Sequence, residues 1–380
     1  MKPDVALPLL GGLSAAEFMR VHWQKQPLLV RAAMVEGAPG IDRHRLFALA
    51  AQDGVESRLI VNDGDRWSVR PGPIARRALP PLAKRGWTLL VQGVDLHDDA
   101  AHDLLSRFRF IADARVDDAM FSFASDGGGV GPHIDSYDVF LLQTHGRRRW
   151  RIGHVAVPRL RDDVPLKMLA GFRPRHDWLL EPGDMLYLPP GWAHEGTAVG
   201  PCITCSIGFR APRAADLAGE TLQRLSETLA DAGAEDRLNT LYADAGEPAT
   251  AHPARIPASL RRFADAAIDA ALQRAEERGR ALGEVLSEPK PGTWFERGAG
   301  LSVDAGVVLD RRTRMLYDGD RVFTNGESCR PSGSDAKLLR RLADERHLDS
   351  AGLRRLGTDA RQLLERWAEA GWCRIQRSPS

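Results

Sequence analysis

The sequence predicts a mainly β domain, an antiparallel barrel or jelly roll, followed by an α-helical region and a winged-helix-like C-terminal domain. Three observations predict it. Up to about residue 211, short strand-like runs alternate with Gly- and Pro-containing turns, the pattern of closed antiparallel sheets. After Pro212 the apolar periodicity becomes helical. Beyond Pro289 and Pro291, which mark a linker, a hairpin is interleaved with two helices. The boundaries are therefore 1–211, 212–288 and 289–380.

In the first region, Leu59 to Val61 and Trp67 to Val69 form a hairpin around Asp63-Gly64,. Thr88 to Val91 is a strand, and Leu104 to Ile111 has near-helical apolar spacing. Strands follow at Ala119 to Ala124, Val139 to Gln143, Arg149 to Ile152 and Met185 to Leu188, with His145 and Gly146 in a hairpin turn. In the second region, Ala214 to Asp231 is a helix with Leu222, Leu225 and Leu229 on one face. Pro257 opens another, whose stripe is Leu260, Phe263, Ala267, Leu272 and Ala275,. Such stripes must be covered, by an intramolecular core or by a second copy in a homodimer. In the third, Arg314 to Phe323 turns at Asp318-Gly319, helices span Ser334 to Glu345 and Asp359 to Ala370, and Trp372 to Gln376 is a last strand.

Composition narrows the function. The 380 residues carry 52 basic and 51 acidic side chains, a formal net charge of +1, which argues against a general polyanion binder. From residue 301 onward 15 Lys/Arg face 12 Asp/Glu, a difference of +3. Direct nucleic-acid binding is therefore disfavoured. No run approaches the roughly 20 apolar residues of a membrane span. The apolar stretch Val5 to Leu10 is interrupted by Pro8 and lacks the pattern of a secretory leader,. Four cysteines in this length fit a reducing cytoplasm,. Cys202 and Cys205 form a C-x-x-C, but on a strand residues three apart point to opposite faces, so the thiols diverge.

The central signal is Gly131-Pro132-His133-Ile134-Asp135. His133 and Asp135 are two apart, so on a strand they share a face. A distant third ligand is supplied by His194 in Pro190-Gly191-Trp192-Ala193-His194. Two histidines and one carboxylate occupy three adjacent corners of an octahedron, the set of non-haem iron(II) oxygenases. Catalytic zinc is the alternative. His145, His154 and His176 are expected to be ordinary histidines, at the surface or supporting the site from behind.

Arg147, Arg148, Arg149, Trp150, Arg151 and Ile152 follow one another. On a strand, Arg148 shares the apolar face of Trp150 and Ile152, while the other three arginines point away. A buried guanidinium needs an anion, and it grips a carboxylate bidentately. Arg148 is thus expected to hold the distal carboxylate of 2-oxoglutarate. A structural pair with Asp or Glu is the alternative.

The run from Phe121 through Gly127-Gly128-Gly129 to His133-Ile134-Asp135 and Phe140 resembles the bacterial JmjC-type ribosomal oxygenases. So do Gly146 to Trp150, Pro189-Pro190-Gly191 with His194-Glu195-Gly196, Gly208 to Pro212, and the opening His22 to Leu28. Within that group the chain resembles the family that hydroxylates an arginine of large-subunit ribosomal protein L sixteen. The resemblance implies a JmjC/cupin-like double-stranded β-helix, a helical dimerisation region and a winged-helix-like domain. It also implies Fe(II), 2-oxoglutarate and O2 as cofactor and cosubstrates, with insertion of oxygen at the arginine β-carbon. Competing possibilities are hydroxylation of a histidine in another protein, and a non-catalytic cupin-like sensor whose C-terminal domain binds nucleic acid.

The family pattern has a serine at the position of Ala124, which cannot donate a hydrogen bond. Either Ser122, one strand period away, or a water is the expected substitute on the cosubstrate. Asp118, Met120 and Ser122 alternate on one face. The resemblance assigns Asp118, Met120, Tyr137 and Ser206 to the arginine pocket, where a carboxylate pairs the guanidinium and flat or soft side chains flank it. The alternative for Asp118 is a carboxylate that caps a turn or meets a surface lysine.

Overall fold

In the computed structural model the described residues are 2–34, 41–64, 66–230, 237–301 and 305–375. They fall into two compact units, Met1–Ala211 and Pro212–Ser380.

The first unit contains α1 (Ala15–Val21), β1 (Leu28–Val30), α2 (Arg43–Ala50), β2 (Ser57–Asp63), β3 (Arg66–Pro71), β4 (Trp87–Val91), α3 (Asp99–Ser106), β5 (Val116–Ala124), β6 (His133–Ile134), β7 (Asp138–His154), β8 (His176–Leu180), β9 (Met185–Leu188) and β10 (Trp192–Phe209). β7 and β10 organise it. Their later and earlier halves, respectively, pair with each other from Trp192↔His154 to Val199↔Arg147, with β6 and β8 flanking them. Their other halves pair from Ile203↔His145 to Phe209↔Asp138 and join β1-β9-β7-β10-β5-β4-β2-β3. Two long strands thus cross from a small sheet into a large one, which makes the unit a double-stranded β-helix.

This corrects one expectation. Val139 to Gln143 and Arg149 to Ile152 are not separate strands joined by a hairpin at His145-Gly146; both lie in the 17-residue β7. Gly146 has φ +63°, and the register shifts between Val199 and Ile203 on the partner strand. A left-handed glycine beside a bulge bends a strand without ending it. A second correction concerns Leu104 to Ile111. The helix there is α3, capped by Asp98 and ending at Ser106. Phe108, Arg109 and Ile111 continue in tight turns, each N–H donating to the carbonyl three residues back. Apolar spacing alone does not distinguish such turns from a helix. The hairpin β2–β3 forms as expected.

One face of the large sheet buries an aromatic cluster. Phe18, Phe140, Tyr187 and Phe209 are fully covered and pack with Trp23 and Phe108. Each such ring contributes about 1.5–3 kcal/mol by leaving water. Inside this cluster the buried Asp138 accepts from the Tyr187 hydroxyl at 2.7 Å, Gln24 Nε2 at 2.9 Å and Arg115 at 3.1 Å. The network ties the segment around Trp23 and Gln24 to the start of β7.

The second unit contains α4 (Ala214–Ala230), α5 (Ala258–Gln273), α6 (Ala275–Ser287), β11 (Val307–Leu309), β12 (Met315–Asp318), β13 (Arg321–Thr324), β14 (Glu327–Cys329), α7 (Gly333–Glu345), β15 (His347–Leu348), α8 (Ser350–Arg354), α9 (Thr358–Glu369) and β16 (Cys373–Ile375). β15-β11-β16 and β12-β13-β14 form two small sheets. α7, α8 and α9 supply Leu339, Leu342, Leu353, Leu364 and Trp367 to one core with Val307 and Val322. This is a winged-helix arrangement. The expected long helix after Pro257 is broken at Arg274, whose ψ of 86° is not helical, so Ala275 begins α6. The expected ends at Asp231 and Gln376 lie outside the described residues.

Candidate active site

The pairing of β6 with β10 puts His133 directly opposite His194. Their rings lie 4.2 Å apart between centroids. Asp135 completes the group: its Oδ2 is 3.4 Å from His194 Nε2 and its Oδ1 3.8 Å from His133 Nε2. One ligand atom from each of the three lies within 4.8 Å of the others. The Nδ1 atoms are turned away, 3.0 Å from the Gly131 carbonyl in His133 and 3.0 Å from the Trp192 carbonyl in His194. An Nδ1–H donated to a carbonyl leaves the Nε2 lone pair for a metal.

The electrostatics favour that state. Burial, with the neighbouring His194, pushes the His133 imidazole down to about 4, against the raising pull of Asp135. The Asp135 carboxyl is lowered overall, the histidines and the Tyr137 hydroxyl outweighing burial. A neutral imidazole beside a carboxylate is a charge state that a divalent ion takes up. Two nitrogens and one oxygen, with no thiolate, fit iron(II).

Arg148 projects inward from β7 and is 3% exposed. Arg147, Arg149 and Arg151 are on the other face, where Arg149 pairs with Asp177 and Arg151 with Glu195. Arg148 Nη1 donates to Ser122 Oγ at 3.0 Å and Thr204 Oγ1 at 3.3 Å, and Nη2 to the Gly196 carbonyl at 3.3 Å. Its Nε has no partner. Among the described residues no Asp or Glu pairs with this guanidinium. Burial accordingly lowers its affinity for the proton. A fully desolvated cation held only by neutral groups fits an incoming carboxylate. The Trp150 ring lies under it at 5.1 Å, and Trp150 Nε1 is a second buried donor without a partner.

Gly196 permits this packing: a Cβ there would meet Arg148 Nε at 2.7 Å and the Trp150 ring at 2.7 Å. Ala124 is fully buried with Ala198 and Cys202. The hydroxyls around Arg148 come from Ser122 and from Thr204, which sequence reasoning missed. Strand parity could have found it, because Thr204 is two residues from Ser206 and pairs with Ser122. Cys205 lies in the aromatic core while Cys202 lies with Ala124, so the thiols do diverge.

Of the other pocket residues, Met120 and Ser206 are direct cross-strand partners beside the Ser122–Thr204 pair. Tyr137 packs against the inner cluster of Leu141 and Trp150, and its hydroxyl helps to lower the Asp135 carboxyl. Asp118 is 5% exposed, and its Oδ2 accepts from the Gly93 backbone N–H at 2.8 Å. The turn-capping contact is therefore present.

A double-stranded β-helix with an inward His-x-Asp…His group and a buried arginine defines the class of JmjC-type oxygenases. Residues 103–217 match the JmjC domain model and 273–374 the ROXA-like winged helix model. The chain is 34% identical to the ribosomal protein uL16 3-hydroxylase of Escherichia coli (strain K12), over 83% of this chain and 85% of that protein. It is 28% identical to a probable ribosomal oxygenase of Haemophilus influenzae, over 94% and 95%. Among solved structures, E. coli YcfD superposes with a TM-score of 0.83 at 28% identity, over 96% of this chain and 98% of that one. YcfD in complex with cobalt and 2-oxoglutarate gives 0.78 at 28% identity, over 95% and 98%. The chain belongs to this family of bacterial ribosomal oxygenases.

Proposed function

We propose that this chain is an iron(II)- and 2-oxoglutarate-dependent hydroxylase of ribosomal protein uL16, acting on the β-carbon of an arginine. The observation that carries the cosubstrate is the buried Arg148 guanidinium, with no acidic partner among the described residues, on the same inward face as His194. His133, Asp135 and His194 hold the metal. Arg148, with Ser122 and Thr204 fixing its orientation, holds the distal carboxylate of 2-oxoglutarate. Bound iron would supply the oxidative chemistry that consumes O2, one oxygen atom going to the succinate formed with carbon dioxide from 2-oxoglutarate and the other into a C–H bond of the substrate. The protein's part is positioning and exclusion of water. Leu141, Trp150, Ile152, Leu180 and Leu188 form the dry cluster behind the site. Asp118, Met120, Tyr137 and Ser206 line the place of the substrate side chain.

Membership of the family supports the proposed substrate and setting. The E. coli relative is named for uL16, and no helix of the described residues is long and apolar enough to cross a membrane. The cytoplasm is the proposed site of action. A homodimer is proposed from α5, where Leu260, Phe263, Ile268 and Leu272 are exposed. The decisive experiment incubates the protein with iron(II), ascorbate, 2-oxoglutarate and an arginine-containing uL16 fragment. Mass spectrometry should show one added oxygen on that arginine. Succinate formation with no modified fragment would refute the substrate.

A further inference from the structure

Antiparallel partners project to the same face of a sheet, so cross-strand register shows which side chains share the face of the metal group. His133 pairs with His194, His194 with Ile152, and Ile152 with His176. The two metal-site histidines and His176 thus lie in one row on the inner face of the small sheet. In the adjacent row Gly196 pairs with Trp150 and Trp150 with Trp178. The outward face carries the ion pairs of Arg149 with Asp177 and Arg151 with Glu195, which fixes the phase of β8.

Trp178 is half-buried and packs at the edge of the inner cluster. The His176 ring stacks on it, 4.9 Å between centroids and 18° from parallel. The His176 side chain is exposed. At the open end of the same face His154 pairs with Trp192 and meets its ring edge-on at 6.4 Å. Four flat rings therefore lie on the sheet face that carries His194 and Ile152.

We propose that His176 and Trp178 form a subsite for a planar side chain of the substrate protein, an arginine or an aromatic residue close to the hydroxylated one. The shared chemistry is a flat π surface, which stacks with guanidinium and aromatic groups alike. Strands are about 4.8 Å apart, so His176 stands two spacings, roughly 10 Å, from His194. An extended peptide advances about 3.3 Å per residue. The flanking side chain thus belongs within about three residues of the target. This inference rests on the reading of the chain as a protein hydroxylase.

The test measures hydroxylation of the uL16 fragment, with alanine placed in turn at each of about three positions on either side of the modified arginine. His176→Ala should raise KM for the unaltered fragment roughly 2- to 5-fold and leave kcat close to wild type. Trp178→Leu should raise it further. At one flanking position, alanine in the peptide should abolish the difference between wild type and His176→Ala. Fragments with arginine or phenylalanine at that position identify which planar group is preferred. His176→Phe, which keeps a flat ring, should restore the wild-type KM. Equal KM for His176→Ala and wild type, a loss confined to kcat, or no flanking position that removes the difference would each overturn the subsite alone. If the wild-type enzyme forms succinate but leaves every fragment unmodified, the substrate reading fails and the subsite falls with it.

Discussion

His133 and His194 are direct cross-strand partners, yet 60 residues separate them in sequence. The short β6 contributes one imidazole and the long β10 the other, and Asp135 reaches both. The metal group is therefore a product of strand pairing, and each ligand should be replaceable without loss of the fold. We expect His133→Ala or Asp135→Ala to abolish 2-oxoglutarate turnover while circular dichroism and thermal unfolding stay near wild type. Metal content after dialysis against iron(II) should fall well below one ion per chain. Normal turnover by either variant would refute the assignment.

Arg148 gives a second expectation. A hydrogen bond to a charged group is worth about 1.5–3 kcal/mol, so Arg148→Leu should raise KM for 2-oxoglutarate roughly 10- to 100-fold. Arg147→Leu and Arg149→Leu project outward and should change it little. Equal effects from all three would show that the cosubstrate is held elsewhere.

Gly196 tests the same pocket from its backbone side. A methyl group there would overlap both the Arg148 guanidinium and the Trp150 ring. Gly196→Ala should leave the chain folded and its metal bound, but displace Arg148 and raise KM for 2-oxoglutarate by roughly tenfold, the loss of one charged hydrogen bond. Wild-type cosubstrate kinetics in this variant would mean that Arg148 is not the anchor.

These expectations show what was legible in the sequence. Strand parity alone separated Arg148 from its three arginine neighbours, because a period of two is rigid once a strand is established. The H-x-D spacing gave two ligands for the same reason. The continuity of β7 was not legible: a glycine with positive φ reads equally as a hairpin turn and as a bend, and only pairing with β10 decides between them. The contact of Asp118 with Gly93 spans 25 residues and leaves no periodic trace.

The exposed stripe on α5 predicts self-association. Phe263 is 37% and Ile268 57% exposed, and apolar area of this kind is covered in stable oligomers. Light scattering should report a dimer at micromolar concentration, and Phe263→Glu should shift it toward monomer. A wild-type monomer across working concentrations would remove the proposal.

Arginine specificity is the last expectation, and it rests on Asp118. The carboxylate is buried, on the same strand as Ser122 at even spacing, with Met120 between them. One of its oxygens is committed to the Gly93 N–H. Deleting the side chain would therefore leave a buried donor unpaired, at a cost of about 1–3 kcal/mol, and confuse folding with recognition. Asp118→Asn avoids this, because an amide oxygen still accepts from Gly93 while the negative charge is removed. If the charge pairs with the substrate guanidinium, Asp118→Asn should keep wild-type metal content and 2-oxoglutarate KM. Its kcat/KM for the arginine fragment should fall roughly 10- to 100-fold, as expected for a lost charged hydrogen bond. Fragments with lysine or histidine at the target position should be poor substrates for the wild type, since neither matches a site shaped for a planar fork. Full activity of Asp118→Asn on the arginine fragment would confine Asp118 to capping the turn at Gly93. Equal hydroxylation of the histidine fragment would move the substrate class to histidine and leave the oxygenase chemistry intact.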